Sequence, residues 1–506
     1  MSTFVKEVSS VMLAWAAIIA QLTLVTVLLI RKYITSRRRA NLQLHSKRLS
    51  IGFFHPYCAA GGGGERVLWC AIRAVFDQAP DARVVVFTGD TSVAPAEIIS
   101  QAVSRFGVEV PETQIEFIVL RRRRLVEAST WPRCTMIGQS LGSMVLAFEA
   151  VTRSPDVILD TMGYAFTYPI FSIFGACTVG CYTHYPTIST DMLARVRSRD
   201  VGVNNNELVA RSSVRSTLKL IYYRLFAALY SFMGRFAEVV LVNSSWTRGH
   251  IDSLWRIQTW LVYPPCDTST LSRLDIKRGV PKPGGKLIVS LAQFRPEKNH
   301  RMQLEAFAGF LEQHDASAAG QVRLVVAGGC RDDADRERLR DLQGLAKQLG
   351  LKERFEGAFS TTDEDSGDWQ IAFRPNASLE EVHLLLSLAT VGLHTMRDEH
   401  FGISVVEFMA AGAIPLAHKS AGPEMDIVTP YEGQRTGFLA VDKETYIQAL
   451  LEIFSLSSEE QQKIAASARE AVRERFSQDE FQRKFCQHML LPLIGNNAPP
   501  STEHHD

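Results

Sequence analysis

The chain has 506 residues, more than one hydrophobic core ordinarily supports, so two domains and an appendage are expected. A formal net charge of +1 argues against nucleic acid as a partner, and 46% apolar residues argue against a disordered chain. Eight cysteines are scattered without zinc-ligand spacing, which predicts buried, reduced thiols and no metal centre.

From Val11 to Ile30 the sequence VMLAWAAIIAQLTLVTVLLI carries no charge and is long enough to cross a hydrocarbon layer of about 30 Å. Arg31, Lys32, Arg37, Arg38 and Arg39 follow it and only Lys6 precedes it, the opposite of a cleaved signal peptide. A single-pass membrane anchor with its basic flank is expected over residues 1–45. The excess of cations after the span places the rest of the chain in the cytosol.

Residues 49–57 read as a strand, and CAAGGGGERVLWCAIRAVF after them as a glycine run leading into a helix. Gly61, Gly62, Gly63 and Gly64 let the backbone approach a ligand closely, and the helix N-terminus offers amides to an anion. The run is not a Walker motif, since no Gly-Lys-Ser/Thr follows, and it lacks the spaced glycines of a dinucleotide fingerprint. HPYCAAGGGGERVLW, from His55 to Trp69, closely resembles the eukaryotic endoplasmic-reticulum α-1,2-mannosyltransferases that extend the dolichol-linked oligosaccharide with its fourth and fifth mannoses. The resemblance implies an enzyme of the endoplasmic reticulum membrane acting in protein N-glycosylation, with GDP-mannose as donor and a dolichol-pyrophosphate oligosaccharide as acceptor. Other mannosyltransferases of the same pathway are implied as further partners.

Strands are expected at residues 83–88, 115–120, 156–160 and 177–182, separated by helical patterns, giving a doubly wound N-terminal domain over 46–275. Arg121 and Arg122 open a four-arginine run directly after a strand. It reads either as a solvated loop or as a contact with anionic lipid or an acceptor pyrophosphate. Residues 163–180, rich in aromatic and apolar side chains but broken by Pro169 and glycines, read as buried core or a membrane-contacting surface. His184, in THYPTISTDM, matches a family position facing the sugar-transfer cleft. Between Leu218 and Phe236 one apolar stripe runs at helical spacing beside Lys219, Arg224 and Arg235, either packed on the core or lying in a membrane interface. Two more strands, at 238–243 and 261–263, precede a linker-like segment at 278–285.

A second doubly wound domain, over 276–475, begins near Lys286. Arg295 and Lys298, in RPEKNHR after a strand, can neutralise a leaving diphosphate, and the resembled family grips its donor phosphates at these positions. Asp363-Glu-Asp365 has the spacing of a metal-binding motif but sits in a polar loop without a flanking strand, so no metal is assigned. From Leu388 to Leu416, LATVGLHTMRDEHFGISVVEFMAAGAIPL reads as a strand, a polar loop, a helix opened by Gly402 and closed by Gly412, and a second strand. Glu399 and Glu407 bracket the helix start with Phe401, Gly402 and Ile403 between them. This pattern resembles the donor site of retaining GT-B glycosyltransferases, and Gly422 resembles that family's donor-side Gly-Pro loop.

The expected fold is therefore α/β, GT-B, with two Rossmann-like domains facing across a cleft. A terminal helix over 476–495 crosses back to the first domain, and residues 496–506 form a tail. By resemblance the chain is a retaining mannosyltransferase that needs no cofactor, with Glu399, Lys298, Arg295 and His184 as catalytic candidates. Two other readings remain at this point: a related enzyme with another donor or lipid acceptor, and a nucleotide-binding scaffold without turnover.

Overall fold

The computed structural model describes residues 2–43, 49–59, 61–198, 213–274, 286–314, 322–354 and 369–495. The linker expected at 278–285, the Asp363–Asp365 motif and the tail at 496–506 lie outside the described residues.

Two parallel sheets organise the chain. The first contains β1 (Ser50–Phe54), β2 (Arg83–Thr88), β3 (Ile115–Val119), β4 (Val157–Asp160), β5 (Thr178–Thr183), β6 (Val239–Val242) and β7 (Trp260–Leu261), in the order β3-β2-β1-β4-β5-β6-β7. The second contains β8 (Lys286–Leu291), β9 (Val322–Gly328), β10 (Ile371–Pro375), β11 (Ala389–Leu393), β12 (Ile414–His418) and β13 (Phe438–Ala440), in the order β10-β9-β8-β11-β12-β13. In each, the chain builds one side and then crosses to the other, so the order reverses between β1 and β4 and between β8 and β11. Open parallel sheets bind ligands at the carboxyl ends of the strands flanking such a reversal.

The strands are nearly continuous apolar runs because helices cover both faces of a parallel sheet. Alternate residues then serve opposite cores. Phe54, Val85 and Phe87 join one cluster of the first domain, while Phe53, Val84 and Val86 join the other. The second core also takes Phe481, Phe485, Met489 and Leu493, although they follow the whole second domain in sequence. The helix Gln478–Phe485 and the turns after it thus return to the first sheet. A Cβ on Gly180 in β5 would lie 2.4 Å from Met489 Sδ and 2.7 Å from Leu493 Cδ1, so the close seating of this segment requires that glycine.

The first chain segment is a helix, Ser2–Gln43. Its end is rooted in the first domain by Arg38, which is buried, pairs with Asp156, and donates to the carbonyls of Gly175 at 2.7 Å and Ser154 at 2.9 Å. Asn41 adds a bond to the Thr152 carbonyl at 2.8 Å. Among the described residues no helix is long and apolar enough to cross a membrane. Several side chains of the run from Val11 to Ile30 lie outside the described ones.

One local expectation needs correcting. The strand expected at 261–263 is the short β7, one residue earlier, because Pro264 and Pro265 have no amide to donate to a ladder. The run at 163–180 is buried core, one of its two expected readings, built as a 3₁₀ turn, a π-turn at Ile170–Phe174 and β5, with Tyr168, Ile170 and Phe171 fully inside.

In the second domain, Gly392 of β11 lies under the helix Ile403–Ala410, where an added Cβ would be 2.0 Å from Phe408 Cγ and 2.5 Å from Phe408 Cβ. Those are the root atoms of the ring and cannot swing aside. Gly392→Ala should therefore destabilise by about 1–3 kcal/mol, the usual cost of overpacking. Thermal unfolding will measure it, and an unchanged midpoint would contradict this packing.

Candidate active site

The loop from His394 to Gly402 follows β11, the strand beside the order reversal, and carries the acidic group nearest the switch point. Its last residue, Gly402, has φ 106° and ψ 55° and caps the helix Ile403–Ala410 without any side-chain bond to the helix amides. That conformation is open to glycine and strained for other residues. Gly422 supports the loop from behind. Its amide donates to the Glu399 carbonyl at 3.0 Å, and a Cβ there would lie 2.3 Å from the Phe401 carbonyl oxygen.

Glu399 is held from two sides: its Oε2 is 2.5 Å from Lys298 Nζ and 3.2 Å from His394 Nε2. Burial alone would raise its pKa, but the His394 bond and the Lys298 charge outweigh it and hold the carboxyl well below the usual range. Lys298 reaches it from a 3₁₀ turn, Pro296–Lys298, after β8. Glu407 behaves differently, since burial pushes its carboxyl upward and the Arg66 charge only partly opposes this. One face of the signature helix thus presents a fixed anion at the loop and a less comfortable carboxylate further along.

Glu399 and Glu407 line a cleft of about 630 Å³ between the two domains, which Lys298 and His394 reach through Glu399. The first domain contributes Gly61, Gly62, Gly63, Gly64, His184 and Asn243. The second contributes Ser378, Leu379, Val382, Glu399, Phe401, Gly402, Ile403 and Glu407. Gly62 caps the helix Gly63–Gln78 without a side-chain bond, so a second set of helix amides opens here. A Cβ on Gly64 would lie 3.6 Å from His184 Nε2, which places the glycine run against that imidazole. His184 Nε2 donates to the Thr161 carbonyl at 3.1 Å. Burial lowers its pKa to about 4, the Thr161 bond opposes this, and His400 lowers it further.

Not every expected residue reaches the cleft. Arg121 and Arg122 are exposed beyond β3, the outermost strand of its sheet, and the Arg121 amide binds the Glu149 carboxylate at 2.8 Å. Both lie outside the cleft, exposed as the solvated-loop reading expects, because their strand ends two positions away from the order reversal. Arg295 is exposed at the start of the Lys298 turn and does not line the cleft, whereas Lys298 pairs directly with Glu399. Gly422 backs the loop rather than facing the cavity.

Other residues of the cleft and of the junction between the domains escaped the sequence reading. Arg66 lies two residues beyond the glycine run, faces the cleft over the Phe106 ring with its Cζ 5.2 Å from the centroid, and acts on Glu407. His400 stacks on Tyr185 of the first domain at 3.9 Å between centroids, with Trp246 parallel at 5.5 Å. Asp426, in the turn Pro423–Ile427, accepts from the Ser245 amide at 2.9 Å, the Ser245 hydroxyl at 2.5 Å and the Tyr263 hydroxyl at 2.9 Å. Ser245 and Tyr263 belong to the first domain, so this carboxylate ties the two halves together. Arg66 was legible as part of GGGGER; the partners of His400 and Asp426 are too distant in sequence for any local pattern.

Buried imidazoles give the fold a pH dependence. Burial lowers the pKa values of His184 and His300 to about 4 and that of His55 to about 3, from 6.5. Below the unfolded value the unfolded chain binds protons that the folded chain refuses, so stability falls as pH drops from about 6.5 towards 4. Each histidine can remove up to about 2 kcal/mol between neutrality and pH of about 5. Guanidinium melts at the two pH values should show this loss, and equal midpoints would refute it.

Solved structures carry the same paired sheets. Anabaena Alr3699/HepE in complex with UDP-glucose superposes with TM-score 0.54 at 16% identity, covering 87% of this chain and 99% of that one. The OtsA apo structure gives 0.61 at 11% identity, covering 88% and 99%. The family model for glycosyl transferases group 1 matches residues 272–366 and 369–471. The chain is a glycosyltransferase with the GT-B fold. The model described as ALG11 mannosyltransferase N-terminus matches residues 48–255. Proteins named GDP-Man:Man(3)GlcNAc(2)-PP-Dol alpha-1,2-mannosyltransferase are 48% identical over 86% of this chain in Mus musculus, covering 85% of that protein, and 47% identical over 87% in Homo sapiens, covering 86%. The chain belongs to the ALG11 mannosyltransferase family.

Proposed function

We infer that the chain transfers mannose from GDP-mannose to Man(3)GlcNAc(2)-PP-dolichol in an α-1,2 linkage, an activity of N-glycan precursor synthesis. The single observation that carries this reading is the high identity across both domains to relatives bearing that name. The cleft supports it chemically. A nucleotide sugar has a diphosphate between two hydroxyl-rich rings, and here two helix N-termini and two carboxylates, one of them paired with Lys298, converge on one cavity.

In the finer reading, the reaction retains the α configuration and adds the fourth and fifth mannoses. Glu399 accepts from hydroxyls of the transferred sugar, while Glu407 accepts from the ribose. Lys298 neutralises the departing diphosphate, with Arg295 joining it when the donor is bound. The glycine run and His184 face the acceptor side. The neutral His184, its Nε2 proton committed to Thr161, is an orienting group there rather than a cation. Retention without a nucleophile beyond these groups points to the leaving phosphate assisting the attacking hydroxyl on the same face. Side-chain cations take the Lewis-acid part, so transfer should persist in excess EDTA.

Localisation to the endoplasmic reticulum membrane, with the domains on the cytosolic face, belongs to the same proposal, as does association with other mannosyltransferases of the pathway. It is supported by the uncharged run and the five cations after it, and by the exposure of Trp15, Ile18, Leu22, Leu24, Val25 and Leu28 along one helix. Purified protein given labelled GDP-mannose and defined lipid-linked acceptors should extend the five-sugar acceptor by two α-1,2 mannoses. Labelling from another nucleotide sugar instead, or no product with any acceptor, would overturn the reading.

A further inference from the structure

A buried amide in the wall of the cleft is left without a bond. Asn243 follows β6, whose sequence is VVLV, and is only 3% exposed, yet its Oδ1 has no hydrogen-bond partner among the described residues. Buried polar atoms are nearly always bonded, because a bare one forfeits the bond that water would have made. A leucine at this position would have nearly the same volume and would extend the apolar strand without that cost.

Strand register explains where the side chain lies. In the β5–β6 pair Gly180 faces Val239 and Thr183 faces Val242, so the next residues, His184 and Asn243, stand side by side beyond the last rung. The Asn243 backbone amide still donates to the Thr183 carbonyl at 3.4 Å, which keeps it in line with the strand. Side chains alternate along a strand, and Val239 and Leu241 join the core that also takes Tyr182. His184 and Asn243 continue that face past the edge of the sheet, where both line the cleft. Neither neighbour can satisfy the amide oxygen. The neutral His184 commits its one ring proton to the Thr161 carbonyl, and Pro264 and Pro265, which line the cleft on the other side, have no amide hydrogen.

The partner must therefore come from the cleft and carry a hydrogen to donate. An ionised diphosphate offers only acceptors. A hydroxyl both donates and accepts, as a primary amide does, and the amide can turn about its Cβ–Cγ bond to present either end. We propose that Asn243 binds a hydroxyl of a mannose ring at the reaction centre and, beside His184, fixes that ring against the first domain. The proposal rests on the mannosyltransferase reading of the cleft and adds a substrate contact to it. The ring is that of the donor or that of the receiving acceptor terminus, two sources of the same chemistry that the measurements tell apart.

The test compares Asn243→Leu and Asn243→Ala with wild type in the full chain. Removing a bare buried amide should leave the thermal midpoint of Asn243→Leu equal to or above that of wild type, whereas an asparagine kept for the fold would lose stability. Transfer should fall at least tenfold in Asn243→Leu, with GDP affinity by calorimetry within twofold. Asn243→Ala leaves room for a water to bond the hydroxyl and should lose less. A donor contact appears as weaker GDP-mannose binding with an unchanged acceptor KM, and an acceptor contact as the reverse. Transfer within twofold of wild type in both variants overturns the proposal. So does GDP weakened by the same factor as GDP-mannose, which would place Asn243 on the nucleotide. If Asn243→Leu does not fold, Asn243→Ala decides by the same affinities. A wild type that used another nucleotide sugar would instead sink the mannose reading, and comparing that donor with its bare nucleotide would still read Asn243 separately.

Discussion

Glu399→Gln should lower single-turnover transfer by roughly a hundredfold while leaving GDP affinity nearly unchanged. Such a factor corresponds to about 3 kcal/mol, the usual size of one transition-state contact in a preorganised site. The ion pair with Lys298 and the bond from His394 keep the carboxylate charged, so it can strengthen its hydrogen bonds as positive charge develops on the sugar ring. The amide keeps size and one acceptor but loses the charge and frees Lys298. Glu407→Gln should fail in the opposite way, weakening GDP and GDP-mannose together, because it meets the part of the donor that does not react. Calorimetry with GDP alongside single-turnover kinetics separates the two. Abolished GDP binding in Glu399→Gln with intact binding in Glu407→Gln would reverse the proposed orientation of the donor.

Asp426→Ala is expected to reduce kcat/KM by at least tenfold and to expand the molecule measurably in small-angle scattering. The wild-type carboxylate accepts three bonds from the first domain, and bonds to a charged group contribute about 1.5–3 kcal/mol each after exchange with water. Asp426 is itself buried, and Arg475 anchors its carbonyl from the adjacent helix, so the turn cannot follow the first domain if the halves separate. Asp426→Asn retains one acceptor oxygen and should fall between wild type and alanine. An alanine variant with unchanged dimensions and rate would show that the stacked Tyr185 and His400 suffice to hold the closed form.

What the sequence disclosed follows the range of the interactions involved. Gly402, Glu399 and Glu407 were legible because loop, cap and helix are adjacent in the chain, and the alternation of apolar runs with helical patterns was enough for two doubly wound domains. Arg121 and Arg122 left two readings open, a solvated loop and an anion contact, because their distance from the cleft depends on strand order, which local sequence does not encode. His394 was hidden at the end of an apolar strand, where it reads as core. Asp426 and His400 act on partners in the other domain, 181 residues away for Ser245 and further for Tyr185. Only the closed arrangement gives them a role.

The return of the last helices to the first sheet also has a consequence for synthesis. Met489 and Leu493 cover Gly180, and Phe481 packs against Tyr182 at 6.1 Å, so the first sheet lacks part of its cover until nearly the whole polypeptide has been made. The second domain, between residues 286 and 476, can complete its own core earlier, although it emerges from the ribosome second. The usual amino-terminal-first order of multidomain folding is thus inverted in its final step. During that interval β5 shows a bare apolar face. A premature stop between Phe476 and Phe481 would leave a second domain with its core complete attached to an unsealed first domain, a species for chaperones to hold rather than a smaller working enzyme.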